Sequence, residues 1–182
     1  PRSELSDLWH FRRLGKVSMS SNTVSSQWGD VFQAIETCYD LGWTDGLPVI
    51  PPTVERVSQF LEHIKSDGSE ILGEIPERRR HINIEKATAN AVMAGCLPEH
   101  LPIVLAATEA MLAPEFNLVG PSSSLGGSAI LVIVNGPKVQ ELGINSRANL
   151  YGPGNRANAT IGRAIRLILM NACAAIPGLF DR

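Results

Sequence analysis

A chain of 182 residues with 44% hydrophobic and 19% charged residues is long enough for one domain with a sizeable core and too short to require two. Its formal net charge of −2 and its 5% aromatic content argue against nucleic-acid binding, which needs basic patches and stacking rings. Three widely spaced cysteines, Cys38, Cys96 and Cys173, form an odd set that points to a reducing, cytoplasmic setting rather than a disulfide framework.

The first 18 residues are polar, carry Arg12, Arg13 and Lys16, and lack the apolar stretch of a signal peptide. With Met19 as an alternative start, residues 1–25 read as an N-terminal extension and residues 26–182 as one domain. The first helix is expected from about Ser26 to Leu41, where Trp28, Val31, Phe32, Ile35, Cys38 and Tyr39 follow helical spacing and Gly42 is a natural stop. A loop from Trp43 to Pro52 follows, because its prolines forbid helix and Asp45-Gly46 favours a tight turn. Thr53 then caps a helix that places Val54, Val57, Phe60, Leu61 and Ile64 on one face and ends near Gly68.

Ile71, Leu72 and Ile75 suggest a short strand, and Glu77 to Arg80 a charged turn. Asn83 is placed to cap a third helix through Ala94, with Glu85 in its first turn and Gly95 as its stop. A fourth helix is bracketed by Pro102 and Pro114, over roughly Leu101 to Leu112. The run Ala129 to Val134 is β-branched and continuously apolar, the pattern of a strand buried on both faces. Asn135-Gly136-Pro137 turns into a short helix, and a last helix spans about Arg156 to Ala174, apolar nearly all round from Ala164. No apolar run reaches the ~18 residues of a membrane span, since Arg166 and Asn171 interrupt the longest. These elements make an α/β fold, a single helix-rich domain with a small, mostly buried sheet and a central apolar C-terminal helix.

The strongest functional lead is the glycine-rich turn that runs into the last helix. Gly152 and Gly154 permit close approach of the backbone, Asn155 is a strong N-cap, and the helix start attracts anions. Arg156 and Arg163 add planar, permanently charged donors suited to carboxylate or phosphate, with Asn158 on the same helix. The alternative is that the glycines only shape the turn and the arginines make structural ion pairs. The formal G-x-G-x-x-A spelling of Gly152 to Ala157 is not a dinucleotide fingerprint, because the nearest strand candidate stops some 18 positions earlier.

Cys96 sits in a turn between two helices with His100 close by and Glu85 on the preceding helix, so a nucleophilic thiol and a buried small hydrophobe are both open readings. Cys38 and Cys173 read as core fillers. Asp45, with Trp43 and Thr44 beside it in a proline-bounded loop, is either a pocket carboxylate or a turn aspartate bonding its own backbone. No histidine or cysteine spacing suggests a metal, and no cofactor is indicated. The serines at 122 to 124 lack a nucleophile elbow; their loop reads equally as a connector or a substrate loop.

Three segments together carry a resemblance: Gly42 to Thr53 (GWTDGLPVIPPT), Asn90 to Cys96 (NAVMAGC) with Leu101 to Ala107, and Gly152 to Arg163 (GPGNRANATIGR). With Val134-Asn135-Gly136-Pro137 they resemble a poorly characterised bacterial family, over roughly residues 30 to 176. Members tend to be encoded beside a short (seleno)protein with a U-G-S-C or C-G-S-C motif, itself similar to part of glycine reductase. The resemblance implies a lyase or reductive-cleavage enzyme that acts on a carbon–heteroatom bond of a small anionic substrate. It also implies an oligomer, with the UGSC-type protein or a chain supplying a further C-terminal part as candidate partners. Family chains usually continue past the last helix, and often carry a Thr-Thr-His-like segment where this chain has Ser122-Ser123-Ser124-Leu125, so no histidine role transfers. On this reading Cys96, Asp45 and Glu85 are the candidate catalytic groups. Trp43, Thr44, Gly154, Asn155, Arg156, Asn158 and Arg163 are the candidate substrate-binding ones. A non-catalytic scaffold or binding subunit is the alternative.

Overall fold

The computed structural model describes residues 24–179, with side chains from residue 30 onward. Residues 1–23 of the N-terminal extension expected over 1–25, and the Trp28 side chain, therefore lie outside the described residues, while residues 24 and 25 belong to the first helix. Within them the chain is a helix-rich α/β domain: α1 (Val24–Asp40), α2 (Val54–Ile64), strands β1 (Ile71–Ile75) and β2 (Arg80–Asn83), α3 (Ile84–Ala94), α4 (Leu101–Leu112), the short α5 (Lys138–Glu141) and α6 (Arg156–Asn171). Among these residues no helix is long and apolar enough to cross a membrane.

The helix starts follow from local chemistry. The Thr53 hydroxyl accepts from the Arg56 N–H, and the Asn83 side chain accepts from the Lys86 N–H at 3.0 Å, which satisfies first-turn donors of α2 and α3. Gly95 closes α3 at φ +91, a conformation that suits glycine. Helix α2 ends at Lys65, in the left-handed region, slightly before the glycine expected to stop it.

Helix α3 is the mast of the fold. Nine of its eleven residues are buried, and alanines at 87, 89, 91 and 94 let neighbouring helices approach closely. Helix α6 packs against it, and α2 and α4 cover other sides. One polar chain crosses this interior. Asn171 donates to Asn90 Oδ1 at 2.8 Å and to the Trp43 carbonyl at 3.0 Å, while Asn90 donates to the Lys86 carbonyl at 2.8 Å. Satisfied buried amides of this kind fix one alignment of α3, α6 and the Trp43 loop.

Strands β1 and β2 form an antiparallel pair with Gly73 opposite Ile82 and Ile75 opposite Arg80, and a bulge falls between Ile71 and Gly73. Ile75 and Ile82 turn inward to the core. Gly73 is required there: a Cβ would lie 2.8 Å from Leu112 Cβ, so the strand could not sit this close to α4.

Two expectations are corrected. The run 129–134 is not a strand of any sheet among the described residues. Its side chains alternate in burial, with Leu131 and Ile133 exposed and Ile130, Val132 and Val134 half-buried. The residues are strand formers, but a strand also needs a neighbour to complete its ladder. The apolar face of α1 is likewise only partly buried: Cys38 is enclosed, whereas Val31 and Phe32 are exposed.

Candidate functional site

Helix α6 brings the sequence candidates to two sides of one element. At 100° per residue, positions 156, 160 and 163 share a face, and 158, 161 and 162 lie opposite. The first face meets the Cys96 turn and the Asp45 loop; the second meets the segment after residue 129.

The turn entering α6 is built largely for itself. Gly154 holds φ +107. The Asn155 side chain caps the helix, accepting from the Asn158 N–H at 3.0 Å, and its amide donates to the Gly143 carbonyl. Asn158 imitates a backbone: its Oδ1 accepts from the Asn145 N–H at 2.9 Å, and its Nδ2 donates to the Asn145 and Leu150 carbonyls. Gly154, Asn155 and Asn158 thus hold the loop against the helix start.

Arg163 and Asp45 meet across the chain. Arg163 Nε and Nη2 donate to the two carboxylate oxygens at 2.9 and 2.8 Å, and Nη2 also reaches the Leu47 and Pro48 carbonyls. The hydrogen-bonded guanidinium holds the Asp45 carboxyl below its ordinary range, against the opposing effect of burial. Each charge is therefore spent on the other, and together they pin the proline-rich loop to α6. Thr44 accepts from the Gly46 N–H, and Trp43 is buried with its carbonyl bound to Asn171.

Arg156 is differently placed. Its Nε donates to the Gly95 carbonyl at 3.0 Å, which fixes the side chain beside the Cys96 turn. Its two terminal nitrogens make no hydrogen bond among the described residues, and the side chain is exposed. Beneath it lie Cys96, His100 and Thr160. The Thr160 hydroxyl donates to the Arg156 carbonyl at 2.8 Å and lies 3.5 Å from His100 Nδ1. That ring nitrogen accepts from the Leu97 N–H at 3.2 Å, which leaves the neutral ring's proton on Nε2. Burial, with the Arg156 charge, lowers the His100 pKa, so the ring is neutral at pH 7. Burial pushes the Cys96 thiol up to about 11, outweighing a Thr160 hydrogen bond and the Arg156 charge.

The structure thus joins Cys96 to Arg156 across some 60 positions of sequence and adds His100 and Thr160. Thr160 escaped the sequence reading, although its place four residues after Arg156 on one helix face was the available signal. Glu85 is not part of the cluster. It is exposed at the opposite end of α3, about 14 Å along the helix from Ala94. Ser122 and Ser123 accept hydrogen bonds from Arg78, which also donates to the Cys173 carbonyl. A separate cavity of about 660 Å³ lies on the other side of α6, lined by residues including Ile130, Val132, Ile144, Leu150 and Ile161. No cluster of histidine, cysteine and carboxylate suited to a metal occurs among the described residues.

No family model, curated protein or solved structure matches the chain.

All three thiols are buried, with Cys173 raised to about 12 and Cys38 raised as well. Iodoacetamide at pH 8 is expected to label the native protein about a hundredfold more slowly than the guanidinium-unfolded chain, because little thiolate is present or reachable. Rapid labelling of Cys96 in the native protein, located by mass spectrometry, would refute this description of its surroundings.

Proposed function

We propose that the chain is a cytoplasmic enzyme subunit that binds a small anionic substrate at Arg156 and, within a multi-subunit assembly, cleaves a carbon–heteroatom bond. The observation that carries the anion is the Arg156 fork: Nε is anchored on Gly95, both terminal nitrogens are uncommitted among the described residues, and the fork stands at the start of α6, beside a thiol and an imidazole. A planar guanidinium with two free donors suits a carboxylate or phosphate, and the helix dipole adds to its field. The type of bond rests on the resemblance of the three motifs.

In this reading Cys96 is the reacting group with the Thr160 hydroxyl as its hydrogen-bond partner; the His100 Nδ1 lone pair is taken by the Leu97 N–H, so the ring shapes the site and takes no proton. The Asp45–Arg163 pair positions the loop and takes no proton. The resting thiol is neutral, so its activation belongs to the assembled site, with the UGSC-type protein as the candidate partner.

Calorimetric titration with acetate and inorganic phosphate tests the anion. Saturable binding is expected, weakened about tenfold or more in Arg156→Gln, the loss of one charge-assisted contact. Absence of binding by the unaltered protein, or undiminished binding by the variant, would overturn the reading. The buried, neutral Cys96 favours the second reading, a non-catalytic binding subunit. Under that reading Cys96→Ser leaves the activity of the assembled complex intact; under the first it abolishes it.

A further inference from the structure

The segment 129–134 carries the means of pairing with a strand and, among the described residues, lacks the partner. Among the described residues the backbone of 128–135 makes no hydrogen bond, although every one of these residues has both an N–H and a carbonyl. All five residues from Ile130 to Val134 line the cavity over α6, with Leu131 62% and Ile133 74% exposed and Ile130, Val132 and Val134 half-buried. Free edges in folded proteins are ordinarily blunted by lysine, proline or a bulge. Here no charged residue or histidine occurs anywhere from Phe116 to Pro137, and no proline falls between Ser122 and Gly136. An edge left this bare is an edge that another strand covers.

The segment is also its own complement. Antiparallel pairing about Val132 sets Val132 opposite Val132, Leu131 opposite Ile133 and Ile130 opposite Val134. Every inward residue then meets an inward residue and every outward residue an outward one, as pairing in a half-buried sheet requires. A centre one residue later sets Leu131 against Asn135, and one residue earlier sets Ser128 against Val134. The Val132 register alone pairs all five large aliphatic residues, 130–134, with one another; the one centred on Leu131 sets Ala129 against Ile133 and leaves Val134 on Ser128.

We propose that residues 130–134 pair in this antiparallel register with the same residues of a second copy of the chain, forming a two-fold dimer through a continuous two-stranded ribbon. Two-fold dimers are the commonest closed oligomers, and they require a self-complementary patch of this sort. The inference deepens the multi-subunit part of the proposed function by naming one contact. It does not depend on the anion site, since its readout is mass.

Sedimentation velocity of the full chain across the micromolar range tests it, with two variants. Leu131→Lys with Ile133→Lys places lysine opposite lysine twice in the proposed register and is expected to weaken the dimer about tenfold or more. Leu131→Lys with Ile133→Glu places lysine opposite glutamate twice and is expected to keep the dimer. Both side chains project to solvent, so both variants should keep the native helical circular dichroism and melting temperature. A monomeric unaltered protein over the whole range would overturn the proposal. So would a Lys/Lys variant that dimerises as well as the parent, or equal loss of the dimer in both variants.

Discussion

Replacing Arg163 with methionine is expected to lower the unfolding free energy by about 2 kcal/mol, or about 4 to 8 °C in melting temperature for a domain of this size. The substitution removes both bonds to Asp45 and both bonds to the Leu47 and Pro48 carbonyls, and leaves a largely enclosed carboxylate without its partner. Asp45→Asn should cost less, because the two carbonyl bonds from Arg163 survive it. The pH dependence separates charge from packing. Asp45 has a folded-state pKa below its unfolded value of roughly 3.9, so its ionised form contributes stability at neutral pH that is lost as pH falls from about 4 through the folded value. The gap between the parent and Arg163→Met, measured by urea midpoints, should therefore narrow below about pH 4. A variant as stable as the parent at pH 7, or a gap that widens in acid, would show that the pair does not hold the loop.

Leu167→Ala is expected to be worse, at about 3 kcal/mol and about 6 to 12 °C. Leu167 is fully buried on α6, and the centre of the core is rich in alanine, whose side chains are too short to swing into the space vacated. The cavity term therefore adds to the lost transfer energy with little relaxation. Leu167→Met, which nearly conserves volume, should cost well under half as much. Equal effects from the two substitutions, read as chemical-denaturation midpoints, would mean that this part of α6 is loosely packed.

Helices were legible where their signals are local. Thr53, Asn83 and Asn155 each cap the helix they were expected to cap, and α4 begins and ends where its bracketing prolines place it. Such signals act within four residues, so a single chain displays them. The segment 129–134 defeated the same approach because a strand is half defined by its neighbour, and no pattern within six residues says whether one is present. Strand β2 was missed for the opposite reason: Arg80-His81-Ile82-Asn83 has poor strand character, and pairing with β1 overrides it.

The site divides in a similar way. The Trp43 loop and the Cys96 turn both meet one face of α6, through Asp45–Arg163 and Gly95–Arg156, while the cavity lined by Ile161 lies on the other. Sequence alone could not decide which arginine is free. Arg156 and Arg163 are equivalent by residue type, and only the fold hands Asp45 to one and the Gly95 carbonyl to the other. The environment of Cys96 was equally illegible, because its pKa depends on burial supplied by residues distant in the chain.

The central position of α3 also bears on how the chain is made. Its largest cover, α6, is finished about 75 residues later than α3 itself. At ribosomal rates of ~5 to 20 residues per second, α3 leaves the exit tunnel about 4 to 15 seconds before α6 follows to cover it. During that interval the nascent chain displays a helix with almost no polar side, and chaperones that hold apolar segments have their clearest target there. Slow codons between residues 95 and 171 lengthen that exposure, so synonymous changes in this stretch should alter the yield of folded protein without altering the protein.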